Sequence, residues 1–499
     1  MFNYLKQLTQ HSTIYGISNI LNKTLAIFLI PIYTHYLDVA EYGNLELFLV
    51  TLNFLVLFLP LGLNVAIFAF TISLEKNDPR DVISTVFNFT LIFTGVVVCL
   101  IYYFSPVLSQ IISDDPQRAY FLRIITINAC MSVILLIPLA RLRVENRSVT
   151  YSILNTIKFG SNLLLNIYFV VYIKKGIEGI LLAGLYSSVI TTILSLSFIH
   201  RDILLFKISR KLLTPMLKFG IPLVPSAIAS AILTMANRFF LEKLSTSEEL
   251  GLFTLGFKFA SIITFLTMAF QVAWPTFLFT IAKDENARNI YKKLLTYFLY
   301  VLLFMFLIIS ILAQDIIQLI ATPEFGAAYR VVPFIVLSQI FYGVYFMTAV
   351  GVNIKRKTQY LPFVVGFAAL TNLILNYVLI PHHGMIGAAY ASLFSYFILV
   401  ILSTRLSLHY YSIKYEYVRI FKLALITATI YVLSIFIKTD NVIFSISGKS
   451  LLICSYPLLL YVVKFYHKKE LYSFKEILKS KSILKEKMAF NKYEEDITG

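Results

Sequence analysis

Apolar residues run through this chain in long, nearly unbroken stretches, not in short alternating segments. Fourteen runs stand out: 13–34, 45–73, 84–104, 119–140, 149–173, 179–200, 218–241, 251–274, 291–313, 330–352, 360–381, 385–404, 418–437 and 447–466. A helix rising about 1.5 Å per residue needs roughly 20 mostly apolar residues to cross a bilayer. The runs therefore predict about 14 transmembrane helices; they are too long for the period-2 strands of a membrane barrel. The second run is too long for one straight crossing and contains Pro60 and Gly62, which predicts a break there. The first carries Asn19, Asn22 and Lys23, and no small-residue cleavage site follows it. It does not read as a secretory signal, so the mature chain is expected to begin near Met1.

Composition excludes a water-soluble globule. Of 499 residues, 58% are hydrophobic and only 14% charged, against about 25% charged in soluble domains; mean hydropathy is +0.79. Cys99, Cys130 and Cys454 all lie in apolar runs without metal-ligand spacing to another Cys or His, so neither a metal site nor a disulfide scaffold is expected. No Gly-x-x-x-x-Gly-Lys-Ser/Thr loop occurs, which argues against ATP as the direct driver. With basic residues near span ends assigned to the adjoining flank, 31 of the 43 Lys and Arg flank one side of the predicted spans, 8 flank the other, and four (Lys23, Lys158, Arg238 and Lys258) are counted inside spans. Basic flanks stay in the cytoplasm, which predicts a multi-pass protein of the cytoplasmic membrane with both termini cytoplasmic. The net charge of +17 comes mostly from this bias and from the tail 467–499, so it calls for no nucleic-acid partner. The tail is expected to meet solvent or anionic headgroups of membrane lipids.

The two halves of the chain repeat. Gly43 precedes Gly251 by 208 positions, in the runs Tyr36–Gly43 and Lys243–Gly251; Gly176–Gly179 precedes Gly384–Gly387 by the same 208. Arg147-Ser148 and Lys357-Thr358 match at an offset of 210, as do Leu163–Asn166 and Leu373–Asn376. Four matches in order at nearly one offset define a six-span unit. An even-span unit repeats in the same orientation, about an axis along the membrane normal. The expected architecture is an all-α polytopic membrane protein with two pseudo-symmetric six-helix lobes, 1–205 and 206–410, plus spans 13–14 in 411–466 and the tail. Such lobes suit alternating access around a central cavity.

At these same residues the chain resembles a known family. Tyr36-Leu37 with Glu41-Tyr42-Gly43, the run Pro60–Ala66, and Asn237–Leu241 followed by Glu248–Phe253 are similar to motifs of polysaccharide-type lipid-linked oligosaccharide flippases. That family, Wzx-like in its O-antigen and capsule members, shares a superfamily with MATE drug exporters and lipid II flippases. The resemblance implies a MATE-like fold and a transporter, not an enzyme, with no cofactor. It implies translocation of an undecaprenyl-pyrophosphate-linked oligosaccharide repeat unit for surface polysaccharide biosynthesis. It also makes a glycan polymerase complex a candidate partner, and places a groove for the lipid tail at spans 13–14.

The intramembrane charges give an independent reading. Lys23, Lys158, Arg238 and Lys258 lie within apolar spans, where a basic residue costs roughly 2.5–3.5 kcal/mol. Glu46 is the one comparable acid. A cationic interior suits a phosphorylated headgroup; a site for cationic drugs would need carboxylates. Asn19, Asn22 and Lys23 fall on one helix face that would line the cavity or form a helix seam. Asn237 and Arg238 end a polar stripe with Ser226, Ser230 and Thr234, and Arg238 would contact phosphate or sugar, or pair with Glu242. Lys158 would contact the substrate or pair with Glu46. Asn64, inside the Pro60–Ala66 motif, completes the candidate set. Trp274, the single tryptophan, reads as an interface anchor. The alternatives are an ion-coupled MATE-type drug or metabolite exporter and, with only Asp114-Asp115 in its favour, a glycosyltransferase or polymerase. The sequence leaves open a proton gradient, a sodium gradient or downhill exchange as the driver.

Overall fold

The computed structural model describes residues 29–72, 78–113, 115–145, 147–200, 207–282, 284–437, 441–467 and Glu470. Lys23, Asn19, Asn22, Asp114 and nearly all of the tail lie outside the described residues. Among the described residues the chain is helical and contains no strand. The first half holds α1 (Ile30–Tyr36), α2 (Val39–Phe58), α3 (Leu63–Ile72), α4 (Pro79–Tyr103), α5 (Ser105–Ser113), α6 (Ala119–Val144), α7 (Ser148–Asn166) and α8 (Gly176–Ile199). The second half holds α9 (Arg210–Gly220), α10 (Val224–Leu244), α11 (Ser247–Ala260), α12 (Ile263–Ile281), α13 (Ala287–Ile320), α14 (Val332–Thr348), α15 (Val350–Ile354) and α16 (Leu361–Tyr410). Three helices follow: α17 (Tyr417–Ile435), α18 (Val442–Cys454) and α19 (Tyr456–Val462).

Ten helical stretches among the described residues are long and apolar enough to cross a membrane, where the sequence predicted about 14. Three features account for most of the difference. The first predicted span lies almost wholly outside the described residues. Spans 11 and 12 form one stretch, α16, broken only where Gly384 turns to φ +50°. The eighth span is split at Ser261-Ile262 between α11 and α12. The expected break in the second span falls at Leu61-Gly62, both at positive φ, between α2 and α3.

The repeat has a physical counterpart. Asp38 caps α2 by accepting from the Glu41 N–H, and Glu41 reaches back to the Asp38 N–H. Thr246, 208 positions on, caps α11 by accepting from the Glu249 N–H. Between these two starts, Gly43 and Gly251 lie against the facing backbone. A Cβ on Gly43 would sit 2.2 Å from the Ser247 carbonyl oxygen, and one on Gly251 2.1 Å from that of Val39. Only glycine permits helices to approach so closely. A second crossing joins Gly62 to Gly220, where a Cβ on Gly220 would lie 2.5 Å from the Leu61 carbonyl oxygen.

Each half also carries an asparagine pair one turn apart, at the offset of 210, with Asn166, Asn372 and Asn376 buried and Asn162 half-buried. Asn166 donates to the Asn162 carbonyl (2.8 Å) and accepts from the Tyr33 hydroxyl (2.8 Å), tying α7 to α1. Asn376 donates to Asn372 Oδ1 (2.9 Å) and Asn237 Oδ1 (2.9 Å), tying α16 to α10. In a bilayer such inter-helix hydrogen bonds select which helix faces meet.

Candidate functional site

Three helices that straddle the two halves bring the intramembrane charges together. Glu46 stands two turns into α2, Arg238 two turns before the end of α10, and Lys258 near the end of α11. Lys258 Nζ lies 3.1 Å from Glu46 Oε2 and 4.8 Å over the Tyr42 ring. Arg238 Nε approaches Glu46 Oε1 at 3.9 Å, close enough for charge attraction but too far for a hydrogen bond. The Arg238 guanidinium also donates to the Thr234 carbonyl and lies 4.1 Å over the Phe257 ring. One carboxylate thus serves two cations, and the cluster keeps a surplus positive charge.

The two cations differ in access. Arg238 is 3% exposed and its buried Nε has no hydrogen-bond partner. The Lys258 side chain is 20% exposed, so it is the more accessible of the two. The polar stripe of α10 leads to the same place. Ser230 and Thr234 satisfy their hydroxyls on carbonyls of their own helix, and Ser230 remains exposed.

The remaining candidates take different positions. Asn237 is spent on the helix seam, donating to the Ala388 carbonyl (3.0 Å) and Ser392 Oγ (2.6 Å) while accepting from Asn376. Lys158 is half-buried on α7, and no carboxylate among the described residues lies within ion-pair distance of it. Glu46 pairs across the repeat with Lys258 and Arg238 and not with Lys158, because α2 packs along α10 and α11. Glu242, expected as an alternative partner of Arg238, instead lies 4.0 Å from Arg118 and accepts from Ser247 Oγ (3.1 Å). Asn64 is half-buried in the first turn of α3, just past the Leu61-Gly62 break.

Two expectations need correction. Glu46 is not the only acid at depth: Asp315 of α13 is 4% exposed and pairs with Lys449 of α18 at 2.7 Å. The ninth helix continues seven residues past its apolar run, to Ile320, and the last begins five residues before its run, at Val442. The stop signal Thr322-Pro323 and the N-cap Asn441 mark both true ends. Trp274 is not an interface anchor; it is buried, stacked between Phe270 and Phe277 and edge-on to Tyr291.

A family model described as polysaccharide biosynthesis protein matches residues 34–329, more than half of the chain. No curated protein sequence matches. Among solved structures, the lipid II flippase MurJ in an inward closed conformation aligns with a TM-score of 0.71 at 16% identity, covering 92% of this chain and all of that one. An inward-facing MATE multidrug transporter aligns at 0.63 and 15% identity, covering 81% of this chain and 96% of its own. An outward-facing one aligns at 0.53 and 17%, covering 83% and 96%. The chain therefore has the fold of these transporters.

Proposed function

The chain belongs to the polysaccharide biosynthesis protein family, and from that premise we propose that it is a flippase. Its cargo is an undecaprenyl-pyrophosphate-linked oligosaccharide repeat unit, moved across the cytoplasmic membrane for surface polysaccharide assembly. The lobes 1–205 and 206–410 rock about the seam between α2 and α11, and both termini face the cytoplasm.

The observation that carries this reading is the arrangement of two cations around one carboxylate at that seam. Glu46 serves as an internal counter-ion that keeps Lys258 and Arg238 in the membrane while the site is empty. A pyrophosphate, with more negative charge than a carboxylate, binds at the accessible Lys258 and loosens the Glu46 pair. Lys158, without a carboxylate of its own among the described residues, is a second contact for the headgroup, and Lys23 with Asn19 and Asn22 a third. Asn237 orients the α10 stripe through the seam, and Asn64 lies by the α2–α3 break where the chamber changes shape.

A MATE-type exporter of cationic compounds is the second reading. It would need an acid free to bind a cation, and Glu46 and Asp315, the acids found at depth among the described residues, already hold basic partners. Export of surface glycan by cells carrying Lys258→Gln tests the proposal, with the membrane level of the protein measured alongside. The expected result is at least a tenfold loss of export at an unchanged protein level, with Lys258→Arg restoring part of it. Normal export by Lys258→Gln and by the Lys23→Gln/Lys258→Gln pair would overturn it. Altered drug susceptibility with intact glycan on deletion would move the assignment to an exporter.

A further inference from the structure

Away from the charge cluster, a cleft of about 480 Å³ opens between the end of α4 and the start of α6, lined by Val98, Cys99, Tyr102, Tyr103, Arg123 and Ile127. Its volume falls in the range of small-molecule pockets (roughly 300–1,000 Å³). Five of the six lining side chains are apolar or aromatic, and the sixth is a cation. Arg123 donates from Nε to Ser105 Oγ (2.8 Å), and its guanidinium lies 4.6 Å over the Tyr102 ring. No carboxylate among the described residues lies within ion-pair distance of it. Arg118, a little over one turn earlier, has both Asp115 (3.2 Å) and Glu242 (4.0 Å).

The surroundings say what the cleft faces. On α5 the serines Ser105, Ser109 and Ser113 point inward and are buried, whereas Val107, Gln110 and Ile111 are exposed. A helix whose serines face protein while its outward face is mainly apolar fits against lipid better than against water. Leu100, Tyr103 (78% exposed) and Phe104 extend the same outward apolar surface to the rim of the cleft. Tyrosines at a span end mark the headgroup level, and an arginine there is costly unless it meets an anion. The anion available at that level, attached to an apolar chain, is a lipid phosphate, whose oxygens suit the guanidinium fork.

We propose that this cleft is a binding site for an anionic membrane phospholipid, its phosphate on Arg123 and its acyl chain along Val98, Tyr103 and Ile127. The site stands whatever the transported cargo is. The bound lipid also braces α5, which Arg123 holds through Ser105.

The test uses site-specific quenching. Trp274→Phe with Tyr103→Trp leaves one tryptophan, at the rim of the cleft, in the full chain reconstituted into phosphatidylcholine vesicles. Brominated phosphatidylglycerol is expected to quench it at about fivefold lower mole fraction than brominated phosphatidylcholine, the factor one basic contact provides at a membrane surface. Arg123→Gln should erase that preference, and Arg123→Lys should keep part of it. Ile127→Phe, which narrows the cleft and leaves the cation in place, should weaken it as well. Equal quenching by the two lipids, or a preference that survives both Arg123→Gln and Ile127→Phe, would overturn the proposal. Reversal of the quenching by millimolar inorganic phosphate would overturn it too, by assigning the cleft to a free anion.

Discussion

The Asp315–Lys449 pair offers a sharp test of how the last two helices are held. The two groups sit 2.7 Å apart, and Ser445 Oγ also donates to Asp315 Oδ1 (2.7 Å). At an effective dielectric of about 20 the attraction at that distance is about 6 kcal/mol. Desolvating two ions costs several kcal/mol each, so the net worth of the intact pair is close to zero. Removing one partner is different, because it strands the other charge in a nearly closed site; Lys449 is 6% exposed. Asp315→Leu and Lys449→Met should therefore each destabilise by about 3–5 kcal/mol. The double variant Asp315→Leu/Lys449→Met should return to within about 1 kcal/mol of the parent, a coupling of at least ~5 kcal/mol. Reversible unfolding in mixed micelles, followed for all four proteins, measures this cycle. Additive single effects, or a double variant less stable than either single, would refute the idea that the pair acts as a unit fixing α18 against α13. The double variant should still export glycan, because the pair plays no part in the Glu46 cluster.

Further predictions concern the seam, its closed end and the start of the tail. Gly43→Ala places a methyl group against the Ser247 carbonyl and should cost about 1–3 kcal/mol by overpacking. Gly95→Ala, with open space around it, should cost little in the same melting assay. Arg118 joins the halves through Asn44 and Glu242. Glu242→Gln should raise maleimide labelling of a cysteine placed at Ser247 by a few-fold, in keeping with a partly exposed pair worth about 0–1 kcal/mol. Glu470 loses some water, which disfavours its charge, but the His467 N–H, the Tyr297 hydroxyl and Arg419 outweigh this and hold its carboxyl below the ordinary value of 4.5. A lowered folded-state value means that its contribution is full above pH 4.5 and is lost as pH falls through the folded value. The protection of amides at Lys464–His467, taken relative to their intrinsic exchange rate at each pH, should therefore be unchanged from pH 7 to 5 and fall below about 4.5, whereas in Glu470→Gln it should be low throughout.

How much of this was legible beforehand depends on the range of each interaction. The bilayer imposes a length on every span, so the helices, the Pro60–Gly62 break and the all-helical class are written locally. The repeat was legible because Gly43 with Gly251 and Asn166 with Asn376 perform the same packing task in both halves. The cluster itself was only half legible. Four intramembrane cations could be counted, but pairing Glu46 with Lys258 required knowing that α2 packs along α11, a contact more than 200 positions away in sequence. Asp315 was missed for another reason. Hydropathy marks where a helix enters lipid, and α13 continues beyond that boundary into protein-lined space.

The repeat also shows where symmetry was abandoned. At the offset of 208, Glu46 corresponds to Thr254, Lys258 to Val50 and Arg238 to Ile30. All three counterparts are buried, and none is charged. The scaffold elements survive in both halves: the caps Asp38 and Thr246, the crossing glycines, and the asparagine pairs. The charges occur once. A two-fold frame with two charged sites would suit two anions or one symmetric ligand; a frame charged at one of its two sets of positions suits the single headgroup of the proposed cargo. A lipid-linked glycan has one phosphorylated centre, between a sugar end and a lipid end.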